Sequence, residues 1–282
     1  MSAATPAVQR PFPRTTVCVV AGLAVATALA VWRVRPDVAS LLTVKTFTAF
    51  GDTFGRLWPP RTDAETLGNL RTGLVETAAM SVVGTFLGAL IGLVLMPFCA
   101  ETVSVRGALV DEEDRPRSRH ALALAVHNAA RLLANVLRTV PYFVWAMLFW
   151  FMVGPGAFAG ALAIAVHTGG VIARNYAQAI DQVDPRPAAA LRSCGARRFH
   201  VFLFGILPAA RSALAALTLY RWEVNIREST VLGLVGTVGL GFHMKYAIGI
   251  FDWRAASAHL AAIVALVLLV DGLSAFVRKR LL

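Results

Sequence analysis

The sequence predicts an all-α membrane protein, a polytopic bundle of about six transmembrane helices, and three observations carry that expectation. The 282-residue chain is 57% hydrophobic and only 15% charged, where soluble domains run near ~25% charged. Its mean hydropathy is +0.64. Its 27 Lys+Arg against 16 Asp+Glu give a net charge of +11, with the basic residues set between apolar runs and at the end of the chain as Arg278, Lys279 and Arg280. Cytoplasmic loops of membrane proteins carry such a distribution, so the charge needs no nucleic-acid partner. A soluble enzyme is excluded on the same grounds.

The elements follow in order. Arg10 and Arg14 precede an apolar run over residues 17–32. Ala28-Leu29-Ala30 has the form of a signal-peptidase site, but the rest of the chain is polytopic, so the expectation is an uncleaved first helix with its N-terminus inside. Residues 33–61 read as an external loop in which Trp58-Pro59-Pro60 is an extended element suited to a membrane interface. The run over 70–98 carries Gly84, Gly88 and Gly92 at four-residue steps, a face on which another helix can approach closely. Residues 101–119, with Asp111, Glu112, Glu113 and Asp114 followed by Arg115, Arg117 and Arg119, are too polar for lipid and read as a solvated loop.

Over 121–138, His127, Asn128, Arg131, Asn135 and Arg138 recur every three or four residues, forming one polar helix face turned toward protein or water. Pro141 interrupts, an apolar aromatic stretch runs over 142–153, and Gly154-Pro155-Gly156 makes a turn. A helix is expected over 157–180. The segment 181–200, opened by Asp184-Pro185 and carrying Arg186, Arg192, Arg197 and Arg198, cannot span. Apolar character resumes over 201–227 past Pro208, glycines follow at 233, 236, 239 and 241, and the last apolar helix covers 255–277. That makes six spans with both termini inside, with 13 Lys+Arg on inner segments and seven on outer ones.

Cys18, Cys99 and Cys194 are odd in number and far apart, which implies neither a disulfide framework nor a zinc site. His120 and His127 share a helix face without a ligand partner at suitable spacing, so the histidines read as structural and no metal is expected. No nucleophile stands with a base and an orienting group, so no catalytic site is expected. Gly236, Gly239 and Gly241 have a superficially phosphate-loop spacing, but no Lys-Ser/Thr follows and no strand precedes. Residues 218–230 demand an account, because Arg221, Glu223, Arg227 and Glu228 stand at the end of an apolar helix, where ionised groups are costly. Glu223 and Arg227 are four apart with the acid first, the favoured order for a pair, while Asn225 and Ser229 lie on an adjacent face with Trp222 and line a cavity. The alternative is a water-exposed helix end with snorkelling charges. Asp271, a lone carboxylate in the last span, supports a second class of function, an ion-coupled secondary transporter.

Two stretches resemble a known family. Ala188-Ala189-Ala190-Leu191-Arg192-Ser193-Cys194-Gly195, then Gly205-Ile206-Leu207-Pro208, resembles the Glu-Ala-Ala loop of ABC importer permeases, the coupling helix on which the ATPase docks. Ala190, Gly195, Leu207 and Pro208 fall in register; Ala189 stands where the family has Glu, Leu191 where it has its second Ala, and Gly205 where it has Ile. An ordinary basic loop is the alternative. Residues 219–236, with Gly239-Leu240-Gly241, are similar to phosphonate-type importer permeases, which also take phosphite-related oxyanions. Arg138-Thr139-Val140-Pro141, Trp145-Ala146, Gly154-Pro155-Gly156, Ala159-Gly160, Glu76-Thr77 and Gly84-Thr85 extend the likeness over most of the chain after residue 70.

The resemblance implies a type I ABC importer permease in a bacterial cytoplasmic (inner) membrane, with residues 1–66 as tail, first helix and external loop, and 67–282 as the core permease domain. It further implies a coupling helix at about 185–200, a second permease chain, identical or paralogous, a cytoplasmic ATPase pair binding the ATP and Mg, and an extracytoplasmic substrate-binding protein. The cargo is then phosphonate, phosphite or a related phosphorus oxyanion, with another small anion as the alternative. Coupling falls to Ala189, Ala190, Leu191, Gly195, Leu207 and Pro208. The pathway or gate falls to Arg138, Arg174, Glu223, Asn225, Arg227, Glu228, Ser229, Gly236, Gly239 and Gly241, the last three in the stretch that forms the external gate.

Overall fold

A computed structural model describes residues 14–35, 37, 43–105, 117–236 and 238–281. Arg10 and most of the expected charged loop, Asp111 to Arg115, lie outside the described residues. Among the described residues every regular element is helical, and the chain clusters into two compact units, Met1–Gly55 and Arg56–Leu282.

The first unit holds α1 (Arg14–Val34) and most of α2 (Val44–Leu57). α1 is long and apolar enough to cross a bilayer. The stretch read as an external loop is therefore not irregular throughout. Its helix was hard to see because Gly51, Gly55 and the β-branched threonines lower helix propensity.

The second unit begins with α3 (Ala64–Cys99) and the short α4 (Glu101–Ser104). α5 (Arg117–Thr139) and α6 (Tyr142–Val153) follow, with a bend of 88° between them around Pro141. Then come α7 (Ala157–Asp181), α8 (Arg186–Ser193) and α9 (Arg198–Val201). A π-helical turn (Phe202–Ile206) leads into α10 (Leu207–Val235), and α11 (Leu240–Gly249) and α12 (Trp253–Leu281) complete the unit. Among the described residues five helices qualify as spans by length and composition, or six when α5 and α6 are taken as one bent crossing.

Side-chain register supports the bent crossing. A Cβ on Gly84 would lie 2.7 Å from Ile164 Cβ, one on Gly88 2.9 Å from Thr168 Cβ, and one on Gly92 would overlap Ile172. Three glycines in ascending order meet three residues in ascending order, so α3 and α7 run parallel. Parallel spans need an odd number of crossings between them, and α5 with α6 supplies one. Gly169 reciprocates, with Ile91 pressed against it. Between two helices in lipid, such close approach is the main source of association.

A buried polar chain ties this pair to α10. Thr168 Oγ1 donates to Asn225 Oδ1 at 3.0 Å, Asn225 Nδ2 donates to Thr85 Oγ1 at 2.8 Å, and Thr85 Oγ1 donates to the Ser81 carbonyl at 2.6 Å. At the other end of α3, Arg61 pairs with Asp63 and Asp252, and its N–H donates to the Arg254 carbonyl. Asp63 accepts from Thr66 and Asp252 from the Ala255 N–H, which holds both carboxyls below their ordinary range.

The glycine register makes two opposed predictions within one helix. Gly84→Ala should lower the thermal unfolding midpoint of the purified protein, because overpacking against Ile164 and the Ala161 carbonyl costs about 1–3 kcal/mol. Gly68→Ala, with open space around the new methyl, should raise it slightly through the ~1 kcal/mol gain in helix propensity. Equal shifts would mean that α3 and α7 do not touch at residue 84.

Candidate functional site

The segment expected to couple to an ATPase folds as two short helices and a π-helical turn. Asp184 Oδ1 accepts the Arg186 N–H at 3.0 Å, and Pro187 occupies the first turn of α8, where its missing N–H costs nothing. Ala188 is buried among Leu191, Ala196, Val201 and Ile206, and the absent side chain of Gly205 lets the π-turn lie directly on α8. Ala189 and Ala190 are exposed and Leu191 is half-buried. Gly195 has φ +80°, and the N–H groups of Gly195 and Ala196 return to the carbonyls of Arg192 and Leu191, a left-handed C-terminal cap that glycine permits. Leu207 and Pro208 start α10. The π-turn directly before Pro208 follows from that proline's missing N–H and its clash with the preceding turn.

The same end of the unit holds a cleft of about 270 Å³ lined by Glu101, Arg131, Asn135, Arg174, Gln178 and Asp181, with Cys99 and alanines filling the wall. Asp181 accepts the N–H groups of Glu101 and Thr102, capping α4, and Arg131 pairs with Glu101 at 3.0 Å. Asn135 Oδ1 accepts from Arg138 Nε at 3.1 Å and from Arg174 Nη1 at 3.4 Å. Among the described residues no carboxylate pairs with Arg138 or Arg174. Two guanidiniums sharing one neutral amide retain donors for an anion. Arg138 and Arg174 were legible as sequence candidates; the amide that joins them was visible only as a member of the polar stripe on α5.

α10 carries two charge groupings of different depth. Arg221 Nη2 meets Glu228 Oε1 at 3.1 Å, with side chains 11% and 13% exposed. Arg221 Nε, Glu228 Oε2 and Trp222 Nε1 are buried without partners among the described residues. Glu223 and Arg227 pair at 3.0 Å as their spacing implies, but Arg227 is half-exposed and also bonds Asp271 at 2.9 Å, while Arg278 reaches Glu223 at 3.2 Å. Asp271, a lone carboxylate in sequence, is thus the far end of a four-residue network joining α10 to α12. Asn225 and Ser229 are fully buried; Asn225 directs its amide to Thr168 and Thr85, and Ser229 donates to the Ile226 carbonyl.

The glycine stretch closes on α3. Gly236 at φ +117° ends α10, and Gly239 at φ +105° precedes α11. The Gly239 N–H donates to Glu76 Oε2 at 2.8 Å and the Leu240 N–H to Thr77 Oγ1 at 3.0 Å, so α11 is capped by side chains of another helix. A side chain on Gly241 would overlap the Thr230 carbonyl oxygen, and Trp150 stands 3.3 Å from the Cβ position of Gly236. Glu76 and Thr77 escaped the sequence-based list of gate residues; a carboxylate amid an apolar run was the signal. No cluster of three metal-ligating side chains occurs among the described residues.

The two groupings should respond differently to truncation. Arg221→Ala strands a buried carboxylate and should cost ~3–5 kcal/mol, whereas Arg227→Ala opens a half-exposed network and should cost under about 1 kcal/mol. Detergent-solubilised thermal unfolding of both variants measures this; a larger loss for Arg227→Ala would reverse the assigned depths.

The description "Binding-protein-dependent transport system inner membrane component" belongs to the family whose pattern residues 123–282 match. The chain is similar to the phosphite transport system permease protein PtxC of Stutzerimonas stutzeri, 36% identical over 206 residues, 73% of this chain and 69% of that one. It is also similar to the phosphate-import permease protein PhnE of Mycolicibacterium smegmatis, 32% identical over 229 residues, 81% of this chain but 40% of that one. Among solved structures, an inward-facing MetNI methionine ABC transporter chain shares the fold at TM-score 0.64 and 22% identity, covering 78% of this chain and 100% of that one. With the family pattern running through the bent crossing, the α8 segment and α10 to α12, this chain belongs to the inner membrane components of binding-protein-dependent transport systems, the multi-pass transport permeases.

Proposed function

We propose that this chain carries phosphite, a phosphonate or a related phosphorus oxyanion across the bacterial cytoplasmic membrane as one of two permease chains, powered by a separate ATPase pair. The carrying observation is the sharing of Asn135 Oδ1 by Arg138 and Arg174, which leaves two guanidiniums without a carboxylate partner among the described residues beside a polar cleft. Tetrahedral oxyanions match the fork of guanidinium donors. The names of the relatives, a phosphite and a phosphate permease, support the same chemistry. The chain itself binds no nucleotide and catalyses no reaction on this reading. ATP and Mg belong to the ATPases, which dock on the α8 segment inside, while a binding protein delivers cargo outside and both chain termini lie in the cytoplasm. Closure of the ATPases moves α8 and, through Gly205 and the π-turn, α10. The secondary-transporter alternative is disfavoured because Asp271, its proton-carrying candidate, is held by Arg227.

Arg174→Gln and Arg138→Gln should each cut uptake of labelled phosphite, phosphate or methylphosphonate by roughly tenfold or more at limiting substrate, since a hydrogen bond to a charged group is worth about 1.5–3 kcal/mol. ATPase recovery in pull-down should not change. Undiminished uptake of all three anions by the double variant would remove these arginines from the pathway.

The coupling role is tested at Gly195, whose Cβ position faces open space but whose φ of +80° disfavours any other L-residue. Gly195→Val should leave membrane abundance unchanged while reducing co-purified ATPase and uptake together. Full recovery of ATPase with full uptake would make the α8 segment an ordinary loop.

A further inference from the structure

α2 is a membrane-surface element in its own right. Phe47, Phe50 and Phe54 follow one another at three and four residues, and Lys45, Asp52 and Arg56 at seven and four. At about 100° per residue the three rings fall within an arc of roughly 60°, and the three charges within roughly 40° on the opposite side. The rings are 63–65% exposed, Phe50 and Phe54 stack at 6.0 Å between centroids, and no residue of α2 is buried. The hydroxyls beside the aromatic arc are turned back into the helix: Thr53 donates to the Ala49 carbonyl at 2.7 Å and Thr48 to that of Lys45 at 3.0 Å.

A 14-residue helix with two glycines and three threonines, none of them buried, is marginal in water, where isolated helices shorter than ~12–15 residues scarcely hold together. Something must cover the phenylalanine face. Its nearest neighbour in sequence identifies the surface: α1, exposed from Thr15 to Val34 and of spanning length, is separated from the start of α2 by nine residues. Nine residues reach at most ~32 Å when fully extended, so α2 is tethered within reach of the bilayer that α1 crosses. Trp58, 74% exposed, stands one position beyond α2, an aromatic of the kind that settles at headgroup level.

We infer that α2 lies in the plane of the membrane, with Phe47, Phe50 and Phe54 sunk into the headgroup–acyl boundary and Lys45, Asp52 and Arg56 in water, Lys45 and Arg56 within reach of lipid phosphates. The occupant of its apolar face is lipid. In this geometry α2 is an interfacial anchor that fixes the depth and rotation of α1, and its apolar face belongs to neither the partner permease chain nor the binding protein.

Site-directed spin labelling tests the assignment on the full chain, with Cys18, Cys99 and Cys194 replaced and a single nitroxide placed in turn at each of positions 45–56. The protein is reconstituted in phosphatidylethanolamine–phosphatidylglycerol liposomes, and the scan is repeated after assembly with the ATPase and binding protein. Oxygen accessibility should peak at 47, 50 and 54, and accessibility to a soluble nickel chelate at 45, 52 and 56. The oxygen-to-nickel ratio should differ several-fold between the two sets, with the periodicities half a turn out of phase in both preparations. High accessibility to both reagents around the whole helix would place α2 in water and overturn the proposal. Low accessibility to both at 47, 50 and 54, in either preparation, would show protein covering that face and overturn it equally.

Discussion

The close approach of α3 to α7 seats the buried polar chain that locks α10 onto the pair. Hydrocarbon gives helices no hydrophobic reason to associate, so the contact rests on dispersion between surfaces that fit and on hydrogen bonds that have no better partner. Gly84, Gly88 and Gly92 provide the fit, and Thr168 shows how the two contributions are joined. Its methyl and Cβ pack on Gly88 while its hydroxyl donates to Asn225, which donates on to Thr85, one residue after Gly84. The lock to α10 therefore forms only when the glycine face is seated. The chain of donors ends at the Ser81 carbonyl, so both polar atoms of the buried Asn225 amide have a hydrogen-bond partner.

Two prolines then bend elements away from that seat, and neighbouring side chains and a π-turn accommodate the breaks. The break around Pro141 exposes carbonyls at the end of α5. The Leu137 carbonyl accepts from Trp145 Nε1 at 3.2 Å, and the Val140 carbonyl stands 3.2 Å from His167 Nδ1. A carbonyl can only accept, so His167 carries its proton on Nδ1. Two of the carbonyls at the break thus find partners on α6 and α7, the kind of compensation that irregular backbone within a membrane protein needs. Pro208 is handled by the π-turn over Phe202–Ile206, which packs on α8 through Gly205. α8 is consequently linked to α10 through the π-turn that packs on it.

Legibility divided along physical lines. Spans, the glycine face, the Pro141 break, the non-spanning segment at 181–200 and the order of charges on α10 are short-range features, written in periodicity and composition. The Glu223–Arg227 pair was readable for the same reason, being four residues apart on one helix. Partners far apart in sequence were not: Asp271 looked solitary because Arg227 lies 44 residues away, and Glu76 gave no hint that it caps α11. Arg221 and Glu228, seven apart, stood among the four charges that demanded pairing, but only burial shows them to be the deeper pair. α2 was hidden by its own composition, since glycine and threonine read as loop even where the phenylalanines keep helical period.

Depth also separates the charges by what they can do. A guanidinium with a carboxylate at 3.1 Å and little exposure is already neutralised, and an anion would have to displace Glu228 to reach Arg221. Among the described residues Arg138 and Arg174 bond to a neutral amide and to no carboxylate, so an oxyanion arriving there would displace no charge and gain two donors. Both arginines keep solvent contact, Arg138 more than Arg174, which would screen the attraction for an anion and keep its well shallow. A shallow well is what conduction requires, because a site that holds its cargo tightly cannot release it. On the function proposed above, the two kinds of arginine would do different work: Arg221 would hold α10 in register, and the Arg138–Asn135–Arg174 group would meet an anion in passage.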